Sequence, residues 1–364
     1  MSSRGRAWRL LAIAGLVGVP VAVFACTGED PPFFPPSSTE DADATGDGSS
    51  PQDGAADAPG DPCGDLCDLV TGQTPHELVV DGTHVYWSSD EGIARTEKRR
   101  PGAPVETLAG GLRMPRGLAV TPSYVFWLTG IPCAEIHRRS FATGTIEKAP
   151  AGIGGPLDSV FVNGVLYYSG RRAPSTCAAQ DGGIGGGIHS ITEDLSDPRV
   201  VTGFGADHAC ERMPTRALAG RMGSSNADLV WAHADIGELC WTLGGTAAIQ
   251  RDVWAHVKRM VLTSGHIFWT ADEGVLSQKR TSDEELDKPA TTVSTVTDAT
   301  GLVYDEVRKR LYFVTSSGKV YSAEGIASEV IAETSCAAGA LAQDDDFLYF
   351  TCEAQGSIKR LKKP

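Results

Sequence analysis

Seven residues share one position in a segment that recurs along this chain: His76, Arg116, Asp158, Thr215, Lys258, Thr300 and Gly339. Arg116 and Lys258, joined by His76, are side chains that hold an anion, and Asp158 supplies a counter-charge or a base beside them. The plainer account is a solvated funnel with no dedicated ligand. Asp158 is the lone acid of this set, which argues against a carboxylate-lined metal centre. Other chemistry is thin. HExxH, GxSxG and the P-loop are absent. The glycine-dense run 182–187 fails GxGxxG, because Ile188 stands where the last glycine belongs, and reads as a surface loop. Cys63 and Cys67 are the only closely spaced cysteines, with no second pair to complete a zinc site. No cofactor is implied.

The elements that position these residues are written as repeats. One aromatic marks each unit: Trp87, Trp127, Tyr168, Trp231, Trp269, Phe313 and Phe350. The intervals are 40, 41, 63, 38, 44 and 37 residues, and a period near 40 with several short strands is the arithmetic of a β-propeller blade. Within the first unit, Leu78 to Val80 meets the hairpin signal Asp81-Gly82, echoed by Asn163-Gly164 in the third. Val85 to Trp87 follows with high strand propensity. Gly92 to Arg95 and Val105 to Leu108 then complete four antiparallel strands.

The seventh unit stops after a third strand, Ser357 to Leu361. Ahead of the first unit stands Asp68-Leu69-Val70-Thr71-Gly72, which matches the fourth-strand segment Val200-Val201-Thr202-Gly203. The expectation is an all-β, seven-bladed β-propeller over 63–364, closed by this N-terminal strand so that no sheet edge is left open. Val80-Asp81-Gly82-Thr83-His84-Val85-Tyr86-Trp87 and its six echoes resemble the YWTD and NHL repeat superfamily, and most of all bacterial secreted lipoproteins with such repeats. The resemblance implies a fold and leaves function open, since propellers host many unrelated activities.

Arg4, Arg6 and Arg9 precede the uncharged apolar run Leu10 to Ala25, which is shorter than the roughly 20 residues of a membrane-spanning helix. Charge, apolar run and small residue, in that order, spell a signal peptide over 1–25. Val23-Phe24-Ala25-Cys26 resembles the bacterial lipobox, which implies lipidation of Cys26; Thr27, in place of Asp, points to the outer membrane. Residues 26–62 read as an extended acidic tether. Nine acids and no Lys or Arg lie in 27–62, among Pro, Ser and Gly. The whole chain carries a net charge of −14, and the residues from 63 onward 29 basic and 37 acidic groups, a net of −8. Nucleic acid is excluded as a partner on this balance. The expected partners are a membrane, through the lipid, and a protein, small-molecule or glycan ligand; the chain is expected to be a monomer.

Eight of the nine cysteines remain once Cys26 is set aside, an even number in an exported chain. Propeller loops entering innermost strands share a face with loops between second and third strands. On that ground Cys336 pairs with Cys352, and Cys63, at the other face, with Cys67. Cys210 with Cys240 and Cys133 with Cys177 complete the set, Cys177 with Cys210 being the rival. The insertion 171–208, with Arg171, Arg172 and His208, is a second candidate contact surface or a tolerated loop held by a disulfide. The expected function is a non-catalytic binding or scaffold module on the bacterial envelope. The alternative is a hydrolase or lyase acting at the channel mouth, and a purely structural envelope role is the third reading.

Overall fold

The computed structural model describes residues 64–130, 132–171, 187–201, 215–223, 227–233, 239–243, 246–250, 257–280 and 290–364. The signal peptide, Cys26, the tether, Cys63, Cys177, Cys210, Arg172 and His208 lie outside the described residues. What is described is seven four-stranded antiparallel sheets. Blade 1 runs through Pro75–Val80, His84–Ser89, Gly92–Glu97 and Glu106–Gly110. The innermost strands of blades 2 to 7 are Arg116–Val120, Pro156–Val162, Thr215–Met222, Arg259–Leu262, Ala299–Asp305 and Leu341–Gln343. Each innermost strand packs on the next, and that of blade 7 packs on that of blade 1, which closes the ring.

Closure is made by the N-terminal strand. Leu66–Thr71 pairs antiparallel with the final strand, Ser357–Lys362, as the outer strand of blade 7. Leu69 and Val70 are buried there, and Lys359 meets Asp68 at 2.6 Å. Cys67 lies within this strand, opposite Arg360, and not ahead of it.

The seven marker aromatics are all buried to within 2%. Each packs on the preceding blade: Trp127 against Tyr86, Ile93 and Leu108 of blade 1, and Trp87 against Tyr349 and Ile358 of blade 7. Trp127, Tyr168 and Phe313 also stack on the residue opposite them in the third strand, His137, His189 and Tyr321. The indole N–H groups of Trp87, Trp127 and Trp269 are buried with no acceptor among the described residues. Shape and apolar area therefore select this position, and Phe or Tyr fills it in three other blades.

Among the described residues, the first hairpins of the blades solve one problem in two ways. Asn163 and Gly164 both take left-handed backbone, at φ 47° and 78°, as a two-residue turn of this kind requires. Asp81-Gly82 does not. There Asp81 Oδ1 accepts the N–H groups of Thr83 and His84 at 2.6 and 2.7 Å, and Oδ2 accepts the Tyr86 hydroxyl at 2.6 Å. Asp344 repeats this with Asp346, Phe347 and Tyr349. Thr121 and Thr263 do the same work through their hydroxyls. Burial pushes the Asp81 carboxyl up, but the Tyr86 hydroxyl and the two N–H groups outweigh it and hold it below the usual range.

Buried cations latch neighbouring blades at this end of the ring. Lys98 Nζ, past the third strand of blade 1, donates to the Asp81 carbonyl and pairs with Asp344 Oδ2 of blade 7, both at 2.9 Å. Lys363 reaches Asp305 of blade 6 at 2.6 Å, and Arg280 of blade 5 reaches Asp228 of blade 4 at 3.0 Å.

Candidate functional site in the central channel

Innermost strands are edge strands, so N–H groups on their channel side have no ladder partner. The pairing of five of them shifts within the first residues: Pro75/Glu77, Arg116/Ala119, Pro156/Asp158, Thr215/Ala217 and Ala299/Gly301. In those five strands this irregularity helps decide which residue faces the ring. Register against the marker aromatics places Glu77, Gly117, Asp158, Ala217, Arg259, Gly301 and Ala340 in one layer, one per blade. Three charges on alternate blades thus stand among four small residues.

The two carboxylates tie blade to blade. Glu77 Oε2 accepts the Leu118 N–H of blade 2 at 3.0 Å. Asp158 Oδ2 accepts the Leu218 N–H of blade 4 at 3.0 Å, and its Oδ1 the N–H of Ser159 at 2.9 Å. Gly301 has no room for more, since a Cβ there would lie 2.6 Å from the Gly339 carbonyl. Glu77, Asp158 and Arg259 line a cavity of about 140 Å³, walled also by Gly301 and Ala340. The Ser159 hydroxyl is buried at its edge without a hydrogen-bond partner. The Arg259 guanidinium makes no ion pair within 4.0 Å and no hydrogen bond among the described residues. Asp158 is partly buried and lines this cavity. Burial pushes its carboxyl up to about 6; Arg259 draws it down, Glu77 pushes it up, and the two N–H groups draw it down.

The seven residues aligned from sequence do not converge, and only Asp158 lies in the layer. His76 is clasped at the seam of blades 1 and 7, Nε2 on Asp90 at 2.9 Å and Nδ1 on Glu353 at 2.6 Å. Lys258 pairs with Asp272 at 3.1 Å. Thr300 donates to the carbonyls of Ala338 and Val314. Gly339 donates to Thr351 O and abuts its hydroxyl. Arg116 is half-buried without an ion pair among the described residues. Thr215 opens its strand opposite His233. Nor is Asp158 the lone acid of the channel, because Glu77 shares its layer. The missed residues, Glu77 and Arg259, carry a countable signal: each stands ten residues before its marker aromatic, as Asp158 stands before Tyr168. No group of three or more His, Cys, Asp or Glu suited to a metal ion occurs among the described residues.

Cys336 and Cys352 form a disulfide within blade 7, their Cα atoms 5.5 Å apart. Cys67, Cys133 and Cys240 are also disulfide-bonded. Cys240 sits inside the third strand of blade 4, opposite Trp231, and not in the loop before it.

The fold defines a seven-bladed β-propeller, and solved structures share it. Virginiamycin B lyase from Staphylococcus aureus is 14% identical with a TM-score of 0.59, covering 82% of this chain and 98% of that one. The Cps50 (Swd1) propeller domain of Myceliophteria thermophila is 9% identical with a TM-score of 0.63, covering 82% and 100%. YCF48 bound to D1 peptide is 10% identical with a TM-score of 0.59, covering 82% and 96%. At these identities the likeness is one of fold. No family model matches the chain, and no curated protein matches it.

Proposed function

We propose that this chain is a non-catalytic binding propeller, displayed on the bacterial outer membrane by a lipid on Cys26 and held off the surface by its acidic tether. The throat layer takes the ligand. One observation carries the reading: Glu77 and Asp158, the carboxylates a catalytic pair would need, are engaged by backbone N–H groups, whereas Arg259 lines the cavity with no ion pair within 4.0 Å among the described residues. A peptide-bound propeller among the structural neighbours accords with a binding role. The alternative, a lyase or hydrolase, draws on the Asp158 carboxyl at about 6, near the range of a general base, and on the lyase neighbour.

Two experiments test the proposal. Cys26→Ser is expected to release the chain from membranes; tight association of that variant would contradict the lipid anchor. Reversible crosslinking on intact cells, with the chain tagged at its C-terminus and captured under mild conditions, is expected to bring down a reproducible envelope partner or small molecule. Turnover of a captured molecule by the purified chain, lost in Asp158→Asn, would favour the enzyme instead.

A further inference from the structure

The throat joins features that no structural duty accounts for together. A guanidinium with no ion pair within 4.0 Å among the described residues, and a buried hydroxyl with no hydrogen-bond partner among them, face the same small cavity as two carboxylates. An anion site would exclude Glu77 and Asp158, which repel the ligand. A cation site would not place Arg259 beside them. One ligand chemistry satisfies both signs at once. Resting on the binding reading above, we infer that the channel takes a small zwitterion, with its carboxylate on Arg259 and its ammonium on Glu77 and Asp158.

Capacity and charge support this. Each carboxylate oxygen that accepts one backbone N–H retains a second lone pair for an ammonium proton. Arg259 presents a planar fork suited to a carboxylate, and the Ser159 hydroxyl adds a donor at the cavity edge. The volume of about 140 Å³ lies below the roughly 300 Å³ where pockets for drug-sized ligands begin, which selects a molecule of amino-acid size. The small residues Gly301 and Ala340 keep the facing wall clear.

Isothermal titration of the purified full chain with three matched probes tests this. L-Alanine carries both charges, propionate lacks the ammonium and ethylammonium lacks the carboxylate. L-Alanine is expected to bind at least about tenfold more tightly than either of the others. Arg259→Gln is expected to reduce L-alanine to the level of ethylammonium, and Arg259→Lys to restore part of the loss. Glu77→Gln keeps an acceptor for the Leu118 N–H, so the blade contact survives; it is expected to reduce L-alanine towards the level of propionate. Propionate or ethylammonium binding as tightly as L-alanine would overturn the inference, as would no binding of any probe. If no probe binds but crosslinking still captures a partner, the zwitterion falls and the binding reading stands. If crosslinking is also blank, both fall.

Discussion

Asp158 is where the physics of a single residue is most exposed. A carboxyl whose folded pKa is raised holds its proton more firmly folded than unfolded. Between its ordinary value of 3.8 and about 6, the folded chain keeps a proton that the unfolded chain has released. Stability is therefore expected to fall as pH rises through that window, by up to about 3 kcal/mol, and to level off above it. Burial is the largest cause of the raised midpoint, and Arg259 lowers it and Glu77 raises it as charged neighbours. Chemical denaturation at pH 4, 5, 6 and 7 checks this, and Asp158→Asn is expected to lose the Asp158 part of the slope. An identical slope in the variant would contradict the burial argument. The residue was legible in the sequence because it is the only acid among the seven aligned positions. Glu77 was not, because the shift in pairing between Pro75 and Glu77 turns the residue after His76 towards the channel, and Arg259 was not, because it stands one residue past the aligned Lys258. Alternating patterns carry no mark of such a shift.

At the scale of elements, the repeated aromatics made the blades readable, since their spacing is set by sheet packing and survives the exchange of Trp for Tyr or Phe. The hairpins were half readable. Asp81-Gly82 and Asn163-Gly164 look alike as dipeptides, yet one turn is held by a carboxylate and the other by left-handed backbone. The latches between blades were not readable at all. Lys98 and Asp344 stand 246 residues apart in the chain, and only closure of the ring brings them to 2.9 Å. Lys98→Met leaves the Asp344 carboxylate buried without its partner, and is expected to cost about 3–5 kcal/mol in denaturant unfolding. Adding Asp344→Asn removes that charge while keeping the turn acceptor, and is expected to recover much of the loss. A double variant as weak as the single one would contradict the latch.

Across the whole molecule, closure was legible because the last unit lacks a strand and a matching one precedes the first. The described structure supplies its consequence. Without Leu66–Thr71, the strand Ser357–Lys362 becomes a bare edge, and Ile358 and Leu361 lose their cover. A chain from which residues 64–72 are deleted is expected to form soluble aggregates in light scattering and to melt at lower temperature. A monomer with unchanged melting would show that blade 7 stands on its own three strands. The disulfide between Cys336 and Cys352 braces this same blade.

Arginine footprinting tests most directly whether the throat is a binding site. Phenylglyoxal is applied to the chain on intact cells and to the purified chain, and modification is read by mass spectrometry. Arg280, buried against Asp228, serves as the unreactive control. The account predicts that Arg259 reacts in the purified chain and is shielded on cells, where its ligand is present. Equal reactivity of Arg259 in both settings would contradict it.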